Sequence, residues 1–198
     1  MVRRYRALAG ILGLTLLLSA CAADPLADQY RAGSGKNYIA GDGSVTEIPA
    51  SGRGAPVAFS GTGENGEAIN SADYAGKVMV LNFWYAGCAP CRAEAPDLLA
   101  VWEKYRDQQV QFVGVNVRDQ AATAATFTRA FGITYPSILD ASTGAVQLAL
   151  SGTVAPNAVP TTLVVDRQGR VAARILGRIS SASILETLIK SALAEPAS

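Results

Sequence analysis

Val78-Met79-Val80-Leu81-Asn82-Phe83-Trp84-Tyr85, followed after Ala86 and Gly87 by Cys88-Ala89-Pro90-Cys91, is the stretch that decides the fold. The run up to Tyr85 is almost continuously apolar, the pattern of a strand buried on both faces of a parallel sheet. Such a strand belongs at the sheet's centre. After Cys88 the period changes, and Leu98, Leu99, Trp102 and Tyr105 recur at three- and four-residue intervals. That spacing predicts a helix from about Ala89 to Asp107. The two cysteines therefore fall where a buried strand gives way to a helix.

Working outward, Val110 to Asn116 reads as a second strand, the Ala-rich stretch Ala121 to Phe131 as a helix and Ser137 to Leu139 as a short strand. Residues 142 to 150 add a helical turn or two. Thr161 to Asp166 and Val171 to Ile175 alternate around Arg167-Gln168-Gly169-Arg170, a hairpin signal, and Ser180 to Leu193 closes with an amphipathic helix. On the N-terminal side, Val57 to Ser60 and Glu67 to Asn70 flank Gly61, Gly63 and Gly66, which predicts a pair of short strands. Strands alternating with helices in this order specify an α/β domain with a central mixed sheet and helices on both faces. The domain is expected to occupy residues 56 to 198.

About half of the 198 residues are hydrophobic and only 17% are charged, the composition of a globular chain rather than a disordered one or a nucleic-acid binder. Histidine is absent, which excludes a Ser-His or Cys-His dyad and any His-ligated metal. A monomer is expected.

Residues 1 to 20 have the form of an export signal: basic Arg3, Arg4 and Arg6, an apolar run from Ala7 to Leu18, then small Ser19 and Ala20. The apolar run is well short of the ~20 residues that span a bilayer, so cleavage is expected rather than a permanent transmembrane helix. Without those three arginines, 14 basic residues remain against 16 acidic ones, a net charge of −2. Residues 21 to 55 are rich in Gly, Ala, Ser and Asp and read as a solvated tether. A flexible tether of that length spans roughly 30 Å.

Cys88 and Cys91 carry the chemistry. At a helix N-terminus the free N–H groups and the helix dipole stabilise an anion, lowering the pKa of the first cysteine. Cys88 is thus the expected nucleophile. A two-residue spacer on the first turn brings the second sulfur within disulfide range, so Cys91 can resolve a mixed disulfide and should be the more buried of the two. Pro90 costs little there, since its missing N–H would have no helical partner. A purely structural bridge is disfavoured, because so small a loop contributes little entropy. A zinc site would need two further ligands, and no histidine is available. No metal is expected.

The stretch Gly76 to Pro96, with Trp84-Tyr85-Ala86-Gly87-Cys88-Ala89-Pro90-Cys91 at its centre, resembles the thioredoxin-like lipoproteins and membrane-tethered reductases of the TlpA/ResA/CcmG type. Val113-Gly114-Val115-Asn116, Tyr135-Pro136 and Val159-Pro160-Thr161-Thr162 extend the resemblance over roughly residues 55 to 195. It implies a thioredoxin-like fold and no cofactor beyond the redox-active Cys88–Cys91 pair. Val159-Pro160 takes the place of the cis-proline segment that offers backbone groups to a bound substrate strand. Pro96 matches the proline that kinks the active-site helix. Glu94 matches an acidic residue near the redox pair, able to tune thiol pKa values or relay a proton, and Asn82 replaces the buried acid of thioredoxin itself. Trp84 and Tyr85 are expected to flank the site, Trp84 as a substrate contact, whereas Trp102 packs. Leu18-Ser19-Ala20-Cys21 resembles a lipobox, which implies lipidation of Cys21 and an extracytoplasmic, membrane-anchored protein.

The same resemblance favours a reductase of protein disulfides, such as the haem-attachment cysteines of apocytochrome c, recharged by a CcdA/DsbD-like membrane thiol transporter. Direction follows reduction potential and partners, so an oxidant of the DsbA kind stays open. A peroxiredoxin-like peroxidase places its cysteine after proline and threonine, unlike Trp84 to Cys91. A third class is a non-catalytic binding lipoprotein or copper chaperone; copper chaperones of related fold use a wider cysteine spacing and a histidine, and this chain has neither.

Overall fold

The computed structural model describes residues 44–154 and 158–196, all within one compact unit, Tyr38–Ser198. The export signal, Cys21 and the tether as far as residue 43 lie outside the described residues. Eight strands are described: β1 Ser44–Glu47, β2 Ser60–Thr62, β3 Ala68–Asn70, β4 Val78–Trp84, β5 Val110–Asn116, β6 Ser137–Leu139, β7 Thr161–Val165 and β8 Val171–Leu176. Four α-helices accompany them: α1 Ala89–Tyr105, α2 Ala121–Phe131, α3 Ala145–Ala149 and α4 Ala182–Ala194. Among the described residues, no helix is long and apolar enough to cross a membrane.

Six strands form one mixed sheet in the order β1-β8-β7-β4-β5-β6. β4 pairs in parallel with β5 and antiparallel with β7, and all seven of its residues are buried, as its unbroken apolar run predicts. Alternate side chains leave the strand on opposite faces. Met79, Leu81 and Phe83 join a cluster with Ala124 and Phe127 of α2 and Val146 of α3, whereas Val78 and Val80 meet Leu98 and Val101 of α1 and Leu185 and Ile189 of α4. This layered arrangement leaves the C-terminal end of β4 free to feed the turn into α1.

Two expectations are corrected here. The domain does not begin at residue 56, because β1 adds an edge strand to β8, with Ser44 opposite Leu176 and Glu47 opposite Ala173. All four β1 residues are exposed, so no apolar alternation marks the strand in the sequence. Beyond it the Arg53 guanidinium is almost buried, 2.8 Å from Asp166 and 2.6 Å from Glu195, which ties this arm to the β7–β8 turn and to the end of α4. The first hairpin is also shifted: Gly61, expected outside the strands, lies within β2. A Cβ added there would come 2.3 Å from Ile138, so glycine lets the hairpin backbone lie directly against β6.

Candidate active site

Cys88 is the N-cap of α1, and the Cys91 N–H donates to its sulfur at 3.2 Å. One otherwise unpaired helix N–H is thereby directed at Cys88 Sγ, the arrangement that stabilises a thiolate there once the bond is reduced. The two cysteines form a disulfide with their Cα atoms 5.3 Å apart. Cys91 is not the more buried partner. Cys88 exposes 0% of its surface and Cys91 2%, and both sit in the buried cluster that holds Tyr85, Leu150, Val154 and Val159.

The turn from β4 into α1 is braced by residues that the sequence reading did not single out. Asp119 Oδ2 accepts from the Ala86 N–H at 2.6 Å and from Asn116 Nδ2 at 2.8 Å. Asn116 Oδ1 in turn accepts from the N–H groups of Arg118 and Asp119, and the Arg118 guanidinium lies 4.4 Å from the centre of the Tyr85 ring. The signal was an Asn-x-x-Asp step directly after a strand, a common turn chemistry.

The Val159–Pro160 bond is cis, and both residues are buried. Thr162, two residues on, receives a hydrogen bond from Asn82 Nδ2 at 3.1 Å; the same amide also donates to Glu94 Oε1 at 2.9 Å. Glu94 is fully buried, its other oxygen accepting from the Ile179 N–H at 2.9 Å. Burial pushes its carboxyl up to about 7, against the opposing effect of those two hydrogen bonds. Glu94 is thus an interior acid with a pKa near neutrality, rather than an exposed first-turn glutamate.

Trp84 lies behind the sulfur pair rather than on an outward face. Its indole is 4% exposed, stacks at 4.4 Å on Phe127 and donates to Ser137 Oγ at 3.0 Å, so in this arrangement it offers no surface to a docked chain. Together with Cys91, Asn82, Thr128, Tyr135 and Ser137 it lines a small interior cavity of about 10 Å³. Trp102 packs near Phe112 and Tyr135, as expected.

The family model for the AhpC/TSA family matches residues 52–174, well over half of the chain. The chain belongs to the AhpC/TSA family. Like this AhpC/TSA chain, the thiol-disulfide oxidoreductase ResA of Bacillus subtilis carries the aligned segment, with 30% identity over 120 residues that cover 61% of this chain and 64% of ResA. The match spans just under two thirds of that curated relative. Among solved structures, a DsbF homologue from Corynebacterium diphtheriae is 37% identical with a TM-score of 0.66, covering 78% of this chain and 98% of its own. A secreted thiol-disulfide isomerase from Corynebacterium glutamicum is 30% identical with a TM-score of 0.70, covering 80% and 97%. The fold of this AhpC/TSA chain is accordingly thioredoxin-like, as the strand-to-helix reading of Val78 to Cys91 expects.

Proposed function

We propose that this chain is an extracytoplasmic thiol-disulfide oxidoreductase that reduces disulfides in other proteins. The observation that carries the reading is the Cys88–Cys91 disulfide at the first turn of α1, with Cys88 accepting the Cys91 N–H. In the reduced enzyme the Cys88 thiolate attacks a substrate disulfide, forming a mixed disulfide and expelling one substrate thiolate. Cys91 then loses its proton and attacks Cys88 Sγ, which releases the second substrate thiolate and re-forms the Cys88–Cys91 bond. Two electrons pass to the substrate, and its thiolates take protons from solvent.

Val159 and Pro160 would present backbone to the bound substrate strand, and Glu94 would set the proton affinity around the pair. The apocytochrome c haem-attachment cysteines are the proposed substrate, and a CcdA/DsbD-like membrane thiol transporter the proposed electron donor. Lipidation at Cys21 would hold the domain at the membrane. The names of the ResA relative and of the secreted isomerase support this reading. A second reading, net oxidation of substrate thiols, is favoured by the thiolate-stabilising cap on Cys88, since a stabilised reduced form makes a stronger oxidant.

The reduction potential separates the two. A value near or below the ~ −270 mV of thioredoxin supports the reductase, and one near the ~ −120 mV of a strong oxidant overturns it. Cys91→Ala is expected to accumulate mixed disulfides at Cys88, and recovery of apocytochrome c among them identifies the substrate. Peroxide consumption faster than disulfide exchange would instead make the chain a peroxidase.

A further inference from the structure

Glu64, in the turn of the β2–β3 hairpin, has no part in the chemistry described so far. Its Oε2 accepts from Thr128 Oγ1 at 2.9 Å, and its Oε1 is buried without a hydrogen-bond partner. A carboxylate oxygen shut off from water without a partner is costly, and protonation of the group lowers that cost. Thr128 also lines the cavity on to which Cys91 faces, and at about 10 Å³ that cavity has room for a single water. Cys91 and Thr128 thus border one water-sized space, and the Thr128 hydroxyl joins that wall to the Glu64 carboxyl on the hairpin.

We infer that Glu64, acting through Thr128 and a cavity water, takes the proton that Cys91 must lose before it resolves a mixed disulfide, and returns it when the pair is reduced. The inference rests on the proposed disulfide exchange and adds a route for its proton. Thr128 Oγ1 lies 2.9 Å from Glu64 Oε2 and 3.1 Å from the Ala125 carbonyl oxygen; with its one proton directed to Glu64 it accepts from the cavity side, and each relayed proton moves toward the carboxylate. Cys91–S–H becomes Cys91–S⁻, Glu64 becomes the neutral acid, and the thiolate attack on Cys88 Sγ follows. Glu64 touches neither sulfur; it is a positioning residue that acts through Thr128.

The groups that face Glu64 are Glu67 on the same hairpin, Thr128 and Arg129 on α2, and Tyr135 beyond α2. Burial raises the Glu64 carboxyl above its ordinary value; the Thr128 hydrogen bond opposes this, Glu67 adds to it and Arg129 opposes it. The hydroxyl of Tyr135, which lines the cavity, is raised by burial and by both Glu94 and Glu64. Glu94 accepts from Asn82 on one oxygen and from the Ile179 N–H on the other, whereas Glu64 Oε1 has no hydrogen-bond partner among the described residues.

The two steps separate in the reaction of the reduced protein with the aromatic disulfide of Ellman's reagent. Cys88 attack releases the first coloured thiolate, and Cys91 resolution releases the second. Followed from pH 5 to 9, Glu64→Gln and Thr128→Val are expected to leave the first phase unchanged. The second should slow by roughly tenfold or more at and below neutral pH, the low end of what a positioned acid–base group supplies. Thr128→Ser, which keeps the hydroxyl, should restore it. Second phases identical to the parent in both variants would overturn the inference, and so would equal slowing of both phases, which marks a packing defect. A parent protein with no first phase at Cys88 would remove the exchange reading itself.

Discussion

Glu94 shows how far one residue can be read before its surroundings are known. Its place three residues after Cys91 marked it as near the redox pair, but nothing in the sequence says that Asn82 and the Ile179 N–H enclose it. Its carboxyl is raised from an ordinary 4.5 to about 7, so the folded chain binds a proton that the unfolded chain has already released between those values. The resulting stability is fully present below about pH 4.5 and is lost as pH rises through about 7. Denaturation midpoints measured from pH 4 to 9 are expected to fall across that window, and Glu94→Gln should flatten the slope. Asp119 was missed altogether, since its partners are a backbone N–H and an asparagine rather than the cysteines. Asp119→Ala strands the Ala86 N–H and should cost about 1–3 kcal/mol in denaturant titration, with faster alkylation of Cys88 in the reduced protein as its turn loosens.

Elements whose pattern comes from burial were the easiest to locate. The expected bounds of the second strand, the second helix and the short third strand coincide with β5, α2 and β6, because the two strands are buried almost throughout and the helix buries the face of Ala124, Phe127 and Thr128. β1 was invisible for the opposite reason, being an exposed edge. Between these cases lies Gly114 in β5, read as part of an apolar strand and of the Val113-Gly114-Val115-Asn116 resemblance, with no role of its own. A Cβ there would meet Ser137 Oγ at 2.4 Å and Trp84 Nε1 at 2.9 Å, so the indole-to-serine hydrogen bond passes over a residue that must lack a side chain. Gly114→Ala is expected to destabilise the domain by about 1–3 kcal/mol and to shift Trp84 fluorescence as the indole loses Ser137. A melting curve and emission spectrum matching those of the parent would contradict that view.

At the level of the whole molecule, the arm ahead of residue 56 and the end of the last helix are fastened by a single buried cluster. Arg53 bridges Asp166 and Glu195, and Arg170 also contacts Asp166 at 2.9 Å. Residues so far apart in the chain leave no local signature, which is why only the apolar layers could be anticipated. Burial alone would raise the Asp166 carboxyl, but the Arg170 N–H and the Arg53 and Arg170 side chains outweigh it and hold the group below its ordinary 3.8. Its contribution is therefore present above about pH 3.8 and disappears as acid protonates it in the folded state. Arg53→Ala should cost about 2 kcal/mol, less than the ~3–5 kcal/mol of a fully orphaned buried charge because Arg170 remains, and it should weaken the acid-side dependence. Ser44 stands opposite Leu176, Leu176 opposite Thr161, and Thr161 opposite Phe83. Three rungs of about 4.8 Å each therefore put Ser44 roughly 14 Å across the rim from Phe83, near the end of β4. A bulky label following α4, beside the β7–β8 turn at the opposite rim, would therefore stand clear of the end of β4 that leads to Cys88.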